Sequence, residues 1–132
     1  LNQGVIVICT GGGGIPVLQR PDGSLIGIEA VIDKDAASAL LAGKLGADAL
    51  LLLSDIGAVY RDFGTSQQAA ITELTPDEAR ALDLPAGSMG PKVEAAAAFA
   101  ERDGALACIG KLEDALALLQ GRTGTRIRRR KA

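Results

Sequence analysis

A chain of 132 residues with 14 Lys and Arg against 16 Asp and Glu has a formal charge of -2, which gives no global electrostatic drive toward nucleic acid. It has no histidine, and its two cysteines, Cys9 and Cys108, lack CxxC spacing, so His-containing zinc sites and Ser/His or Cys/His nucleophilic machinery are excluded. Hydrophobic residues make up 48% of the chain and aromatic ones 2%, a composition that suits one α/β domain over 1–132 with a core of Ala, Leu, Ile and Val.

The run Gly4-Val5-Ile6-Val7-Ile8-Cys9 is short, β-branched and unbroken, which predicts a strand buried on both faces with Cys9 as a small core residue. Thr10-Gly11-Gly12-Gly13-Gly14-Ile15-Pro16 follows. Four glycines after a strand allow either a sharp turn whose N–H groups approach a ligand or a flexible turn with none. The spacing fits neither GxGxxG nor GxxxxGK[ST]. Pro21-Asp22-Gly23-Ser24 predicts a hairpin tip.

Asp33 is the expected N-cap of a helix that buries Ala37, Leu40, Leu41 and Leu45, with Lys34 and Asp35 in its first turn. The helix dipole favours Asp35 there and disfavours Lys34, and such local conflicts gather at functional sites, although an exposed charge pair reads the same way. Ala49-Leu50-Leu51-Leu52-Leu53 predicts a buried strand ending in Ser54-Asp55, at the carboxyl end where α/β sheets gather ligands. Gly57-Ala58-Val59-Tyr60 is expected as loop, with Tyr60 either bordering a planar ring or covering a core edge. Arg61 to Gln68 is polar and irregular, Ala70 to Leu74 predicts a short strand, and Thr75-Pro76-Asp77-Glu78 opens a short helix.

Gly87-Ser88-Met89-Gly90-Pro91-Lys92 organises the rest. It predicts a loop without bulk entering a helix, with Ser88 as N-cap, proline tolerated in the first turn, and Lys92 just after it. Val93, Ala96, Ala97 and Ala100 fall at i, i+3, i+4 and i+7 on one apolar face. Free backbone donors, the positive dipole end and an ammonium group then meet at one place, which suits an anionic phosphate; a solvated lysine on a capped core helix is the alternative. Gly104 to Gly110 predicts a third buried strand holding Cys108, Leu112, Ala115, Leu116 and Leu119 the inner face of another helix, and Gly124 to Ile127 a last strand. The closing run Arg126 to Lys131 is basic enough to touch an acidic partner, or is a solvated, disordered end. Strands alternating with helices imply parallel pairing. No apolar run approaches the ~18 residues of a membrane span and no leader pattern opens the chain, so a cytoplasmic protein without a membrane role is expected.

On residues alone the reading is a phosphate or nucleotide site built from a glycine loop, two lysines at helix starts and an orienting carboxylate. Phosphoryl transfer asks the protein mainly for positioning and charge neutralisation, which these groups supply. The stretches Thr10 to Val17, Glu29 to Asp35, Asp55 to Tyr60 and Gly87 to Ala95 resemble, in order, the successive motifs of carbamate kinase, and the likeness runs on to Gly124-Thr125-Arg126-Ile127. The resemblance implies the amino-acid-kinase fold, a three-layer sandwich around a mainly parallel sheet. It also implies the reversible reaction of ATP with carbamate to give ADP and carbamoyl phosphate, run toward ATP where the family serves arginine fermentation.

Position by position, the resemblance implies catalytic roles for Lys34 and Lys92 at the phosphoryl group, with Asp35 holding both ammonium groups. Ala58, Val59, Tyr60, Met89 and Gly90 would line the adenosine pocket, Ser54 and Asp55 would approach it from the strand end, and Gly11, Gly12, Gly13 and Gly14 would form part of the floor between nucleotide and carbamoyl phosphate. Mg2+ would travel on the ATP or ADP phosphates with no protein ligand. Gly57 stands where the family often has an acidic residue. A whole carbamate kinase is more than twice as long, so the resemblance implies a carboxy-terminal, nucleotide-binding portion. Such a portion would be inactive alone and would pair as a homodimer or with the amino-terminal half. Another kinase of the superfamily, or a non-catalytic nucleotide-binding or assembly module, are the competing readings.

Overall fold

The computed structural model describes residues 2–84, 87 and 89–130, so the expected cap at Ser88 and the end of the basic run at Lys131 lie outside the described residues. A hairpin of β1 (Val17–Gln19) and β2 (Leu25–Gly27) comes first, turned at the predicted Pro21–Ser24 tip, where Asp22 accepts from the Ser24 N–H and hydroxyl. Then follow α1 (Lys34–Leu45), β3 (Ala49–Ser54), β4 (Val59–Arg61), β5 (Ala69–Ile71), β6 (Glu73–Leu74), α2 (Pro76–Arg80), α3 (Met89–Ala100), β7 (Leu106–Lys111), α4 (Ala115–Leu119, entered through a 3-10 turn) and β8 (Thr125–Ile127).

The main sheet runs β3-β7-β8-β6. β3 pairs β7 and β6 pairs β8 in parallel, while β7 and β8 are antiparallel, so the sheet is mixed, with two of its three pairings parallel. Leu50, Leu52, Ala107, Ile109 and Ile127 share one face with α1, α2 and α3 in the core. The opposite face carries α4, whose Leu118 is fully buried against Gly110 and Gly124. The sheet therefore has helices on both sides, the second side thinly covered.

Four expectations are corrected. Residues 5–9 are not a strand, and Ile6 and Ile8 are 93% and 97% exposed, with Cys9 exposed too. A β-branched run becomes a strand only beside a neighbour that completes its ladder, and among the described residues none lies there. In α1 the inward positions are Asp35, Ala39 and Ala42, with Leu40 and Leu45 exposed. In the last helix Leu118 points inward while Leu112, Leu116 and Leu119 are exposed. Val59-Tyr60 is strand rather than loop, paired antiparallel with β5, and 70–74 divides between two sheets.

Other elements follow the local chemistry. Thr75 and Glu78 close a reciprocal capping box with Pro76 at the first helical position. Val93, Ala96, Ala97 and Ala100 are buried, as the period requires. Thr125, fully buried on β8, accepts from Val59 N at 2.8 Å and donates to the Ile71 carbonyl, so one hydroxyl ties the β4–β5 hairpin to the main sheet. The basic end is held rather than loose: Arg128 pairs with Glu73 at 2.7 Å, Arg129 with Asp103 at 3.1 Å and Arg130 with Glu78 at 2.9 Å.

Candidate phosphate and nucleotide site

A 12-residue helix rises about 18 Å and a six-residue strand about 20 Å. α1 feeds β3, and α3 feeds β7, through short connections, so each helix must start level with the carboxyl end of the strand it precedes. Both helix N-termini and both strand ends are thereby brought to one edge of the sheet. At the first, Asp33 caps α1, its Oδ1 accepting from Asp35 N and Ala36 N at 2.9 Å.

Asp35 does not face solvent. Its Oδ2 accepts from Lys92 Nζ at 2.8 Å, with 10% and 6% of the two side chains exposed. Two charges out of water are tolerated only when paired in good geometry, so the dipole-favoured Asp35 and the lysine of α3's first turn fix the two helices at their starts. Lys34 is one residue away and exposed; among the described residues it makes no ion pair. The expected bridge is therefore half made: Asp35 holds Lys92 and not Lys34. A side chain one residue along a helix is turned by about 100°, and the two positions cannot share a face.

Gly11 to Gly14 form the expected sharp turn, all with positive φ. Gly11 N donates to Cys9 O, and Gly13 N and Gly14 N donate to Thr10 O, which leaves Gly12 as the glycine of the four with an uncommitted N–H among the described residues. A Cβ on Gly13 would collide with the Ile32 carbonyl, so only glycine lets this turn lie against the chain just ahead of Asp33.

At the β3 end, Ser54 Oγ donates to Asp55 Oδ1 at 2.9 Å, and Asp55 is exposed. Tyr60 is half-buried, its ring 5.9 Å from Phe63. Ala58 and Val59 are 4% and 0% exposed, so their side chains belong to the core and offer no surface to a ligand, contrary to the expected lining role. Met89 and Gly90 open α3, with Met89 packed on the core edge. Lys111 was missed by the sequence reading. It is in register with Ser54, and a Cβ at Gly57 would lie 3.5 Å from Tyr60 Oη and 4.0 Å from Lys111 Cε. The same strand-end rule that selected Ser54-Asp55 would have found it, since it closes the buried run of β7.

Known proteins bear on this geometry. Residues 1–111 match the family described as "Amino acid kinase family". Carbamate kinase of Haemophilus influenzae is 47% identical over 127 residues, 96% of this chain and 41% of that protein, and carbamate kinase of Escherichia coli O6:H1 is 49% identical over 125 residues, 95% and 41%. Giardia lamblia carbamate kinase bound to AMP-PNP superposes with a TM-score of 0.91 at 38% identity, covering 98% of this chain and 46% of that one. Archaeoglobus fulgidus uridylate kinase, at 20% identity and a TM-score of 0.59, shares the fold alone. The chain thus spans about 41% of the length of the curated relatives it matches. With carbamate kinases as relatives across nearly its whole length, the chain belongs to the amino acid kinase family.

Proposed function

We propose that this chain is the carboxy-terminal, nucleotide-handling portion of a carbamate kinase, serving reversible phosphoryl transfer between ATP and carbamate. The observation that carries the reading is the buried Lys92–Asp35 pair at two adjoining helix starts. Lys92 is held in place by Asp35 and would neutralise the transferring phosphoryl group; Lys34, free of any ion-pair partner among the described residues, would reach the same group from solvent. Gly12's N–H, uncommitted among the described residues, would add a donor for anionic oxygen. Ser54, Asp55, Tyr60, Met89 and Gly90 would surround the adenosine, with Ala58 and Val59 shaping the wall from behind. Magnesium would arrive on the nucleotide phosphates; Asp35, committed to Lys92, is not available to ligate it.

Carbamate or carbamoyl phosphate would need groups beyond this chain, so turnover is assigned to the chain joined to the remainder of such an enzyme, as a homodimer or otherwise. Titration with ADP tests the reading. Lys34→Ala, which touches no buried contact, should weaken ADP binding at least about tenfold, the loss of one charge-assisted contact. ADP binding unchanged in Lys34→Ala would overturn the site, and ATP formed from ADP and carbamoyl phosphate by this chain alone would overturn its dependence on further polypeptide. Binding without turnover after the chain is joined to its remainder would instead favour a non-catalytic nucleotide module.

A further inference from the structure

At the opposite edge of the main sheet, where β7 begins, Arg126, Arg128, Arg129 and Arg130 wall a recess of about 980 Å3 together with Glu73 and Asp103. A strand of six residues separates this edge from Lys111 by roughly 17 Å, so the recess is distinct from the nucleotide site. Its charges are unevenly matched. Arg128 is neutralised by Glu73, Arg129 by Asp103, and Arg130 by Glu78 outside the recess, but Arg126 makes no ion pair among the described residues. Its side chain lies along Gly121, where an added Cβ would stand 2.6 Å from Nη1 and 3.3 Å from Cζ.

Two buried polar atoms lack partners among the described residues: Arg126 Nε on β8 and, three residues earlier, Thr123 Oγ1. A buried guanidinium N–H without an acceptor costs the full desolvation of a charged donor, and native structures supply such donors with an oxygen. A guanidinium has donors only, in a fork that fits two oxygens of one oxyanion.

We propose that this recess is a second anion site, taking inorganic phosphate or a phosphate monoester on Arg126, with Arg128 flanking it. Arg126 is the determinant because the other three guanidinium groups already have carboxylate partners. Binding there would give the Arg126 charge an anionic partner and tether β8 to the held carboxy-terminal segment.

The test uses the 132-residue chain in phosphate and in chloride at matched ionic strength, so that general screening of the exposed ion pairs cancels. Phosphate at ten times its dissociation constant should raise the melting temperature by about 3–5 °C over chloride. Arg126→Met should melt no lower than the parent in chloride, since it removes an orphaned donor, and should lose the phosphate shift. Arg126→Lys, which keeps charge but not the fork, should weaken phosphate binding at least about fivefold by 31P line broadening. Lys34→Ala should keep the part of the shift that Arg126→Met loses, which separates this recess from the nucleotide site. Glycerol phosphate matching inorganic phosphate would identify a monoester site, and inorganic phosphate alone a free-anion site. An equal shift in parent and Arg126→Met, or none in either, overturns the proposal in favour of bound water.

Discussion

Lys92→Met tests how the two helix starts are joined. At 2.8 Å and an effective dielectric of about 20, the Lys92–Asp35 attraction is about 6 kcal/mol. Desolvation of two side chains that are 6% and 10% exposed offsets much of that, so the pair's net value is small. Removing one partner is a different matter, because the other charge stays buried. Lys92→Met and Asp35→Asn should each cost about 3–5 kcal/mol, a large share of the 5–15 kcal/mol typical of a domain. The double variant buries no lone charge and should cost less than either single. Urea unfolding of the four proteins by circular dichroism measures the cycle. Single losses below about 1 kcal/mol that simply add would refute the claim that this pair is buried, coupled and central to the site.

Thr125→Val strands the Val59 N–H and the Ile71 carbonyl, and should cost about 2–4 kcal/mol by urea unfolding, while Thr125→Ser should keep most of it. Gly124 has φ +70°, and a Cβ there would strike Leu118 and stand 2.6 Å from Ile109 O, so Gly124→Ala should destabilise by at least about 2 kcal/mol in the same assay. Burial raises the Cys108 thiol, only partly countered by Arg126, while Cys9 is exposed; a thiol reagent should therefore modify one cysteine at once and the second only on unfolding. Glu73 is held below its ordinary 4.5, first by the Arg128 hydrogen bond, with burial opposing and the Arg128, Arg126 and Arg130 charges assisting. A depressed folded value stabilises above 4.5 and the gain is lost as pH falls through it, so the stability gap between parent and Glu73→Gln should close on acidification below pH 4.5.

What the sequence disclosed and what it hid divide by range. The α1 cap, the Thr75–Glu78 box and the Pro21–Ser24 tip were legible because their partners lie within three residues. β3 and β7 were legible because a strand buried on both faces is apolar throughout. Residues 5–9 carry the same signature, yet among the described residues no neighbour completes them, and periodicity does not reveal whether a neighbour exists. Leu118 was missed because three other leucines of the helix fit the period equally well and only Gly110 and Gly124, distant in sequence or lacking side chains, make room for it. Val59 was taken for loop because its strand partners and its hydrogen bond to Thr125 lie far along the chain. At the site, the glycine turn, Asp35 and Lys92 were legible from residue type and helix position. The failure of Lys34 to join them follows from helical geometry, and Lys111 is legible by the strand-end rule that selects Ser54-Asp55.

The single Thr125 hydroxyl has a bearing on how the proposed nucleotide pocket can change over evolutionary time. Tyr60 rides on a hairpin moored to the sheet through that oxygen, whereas Lys92 is anchored separately through Asp35. The nucleobase end and the phosphoryl end thus stand on separate foundations. Substitutions that tilt the hairpin would retune which base is accepted while the machinery at the phosphoryl end keeps its alignment.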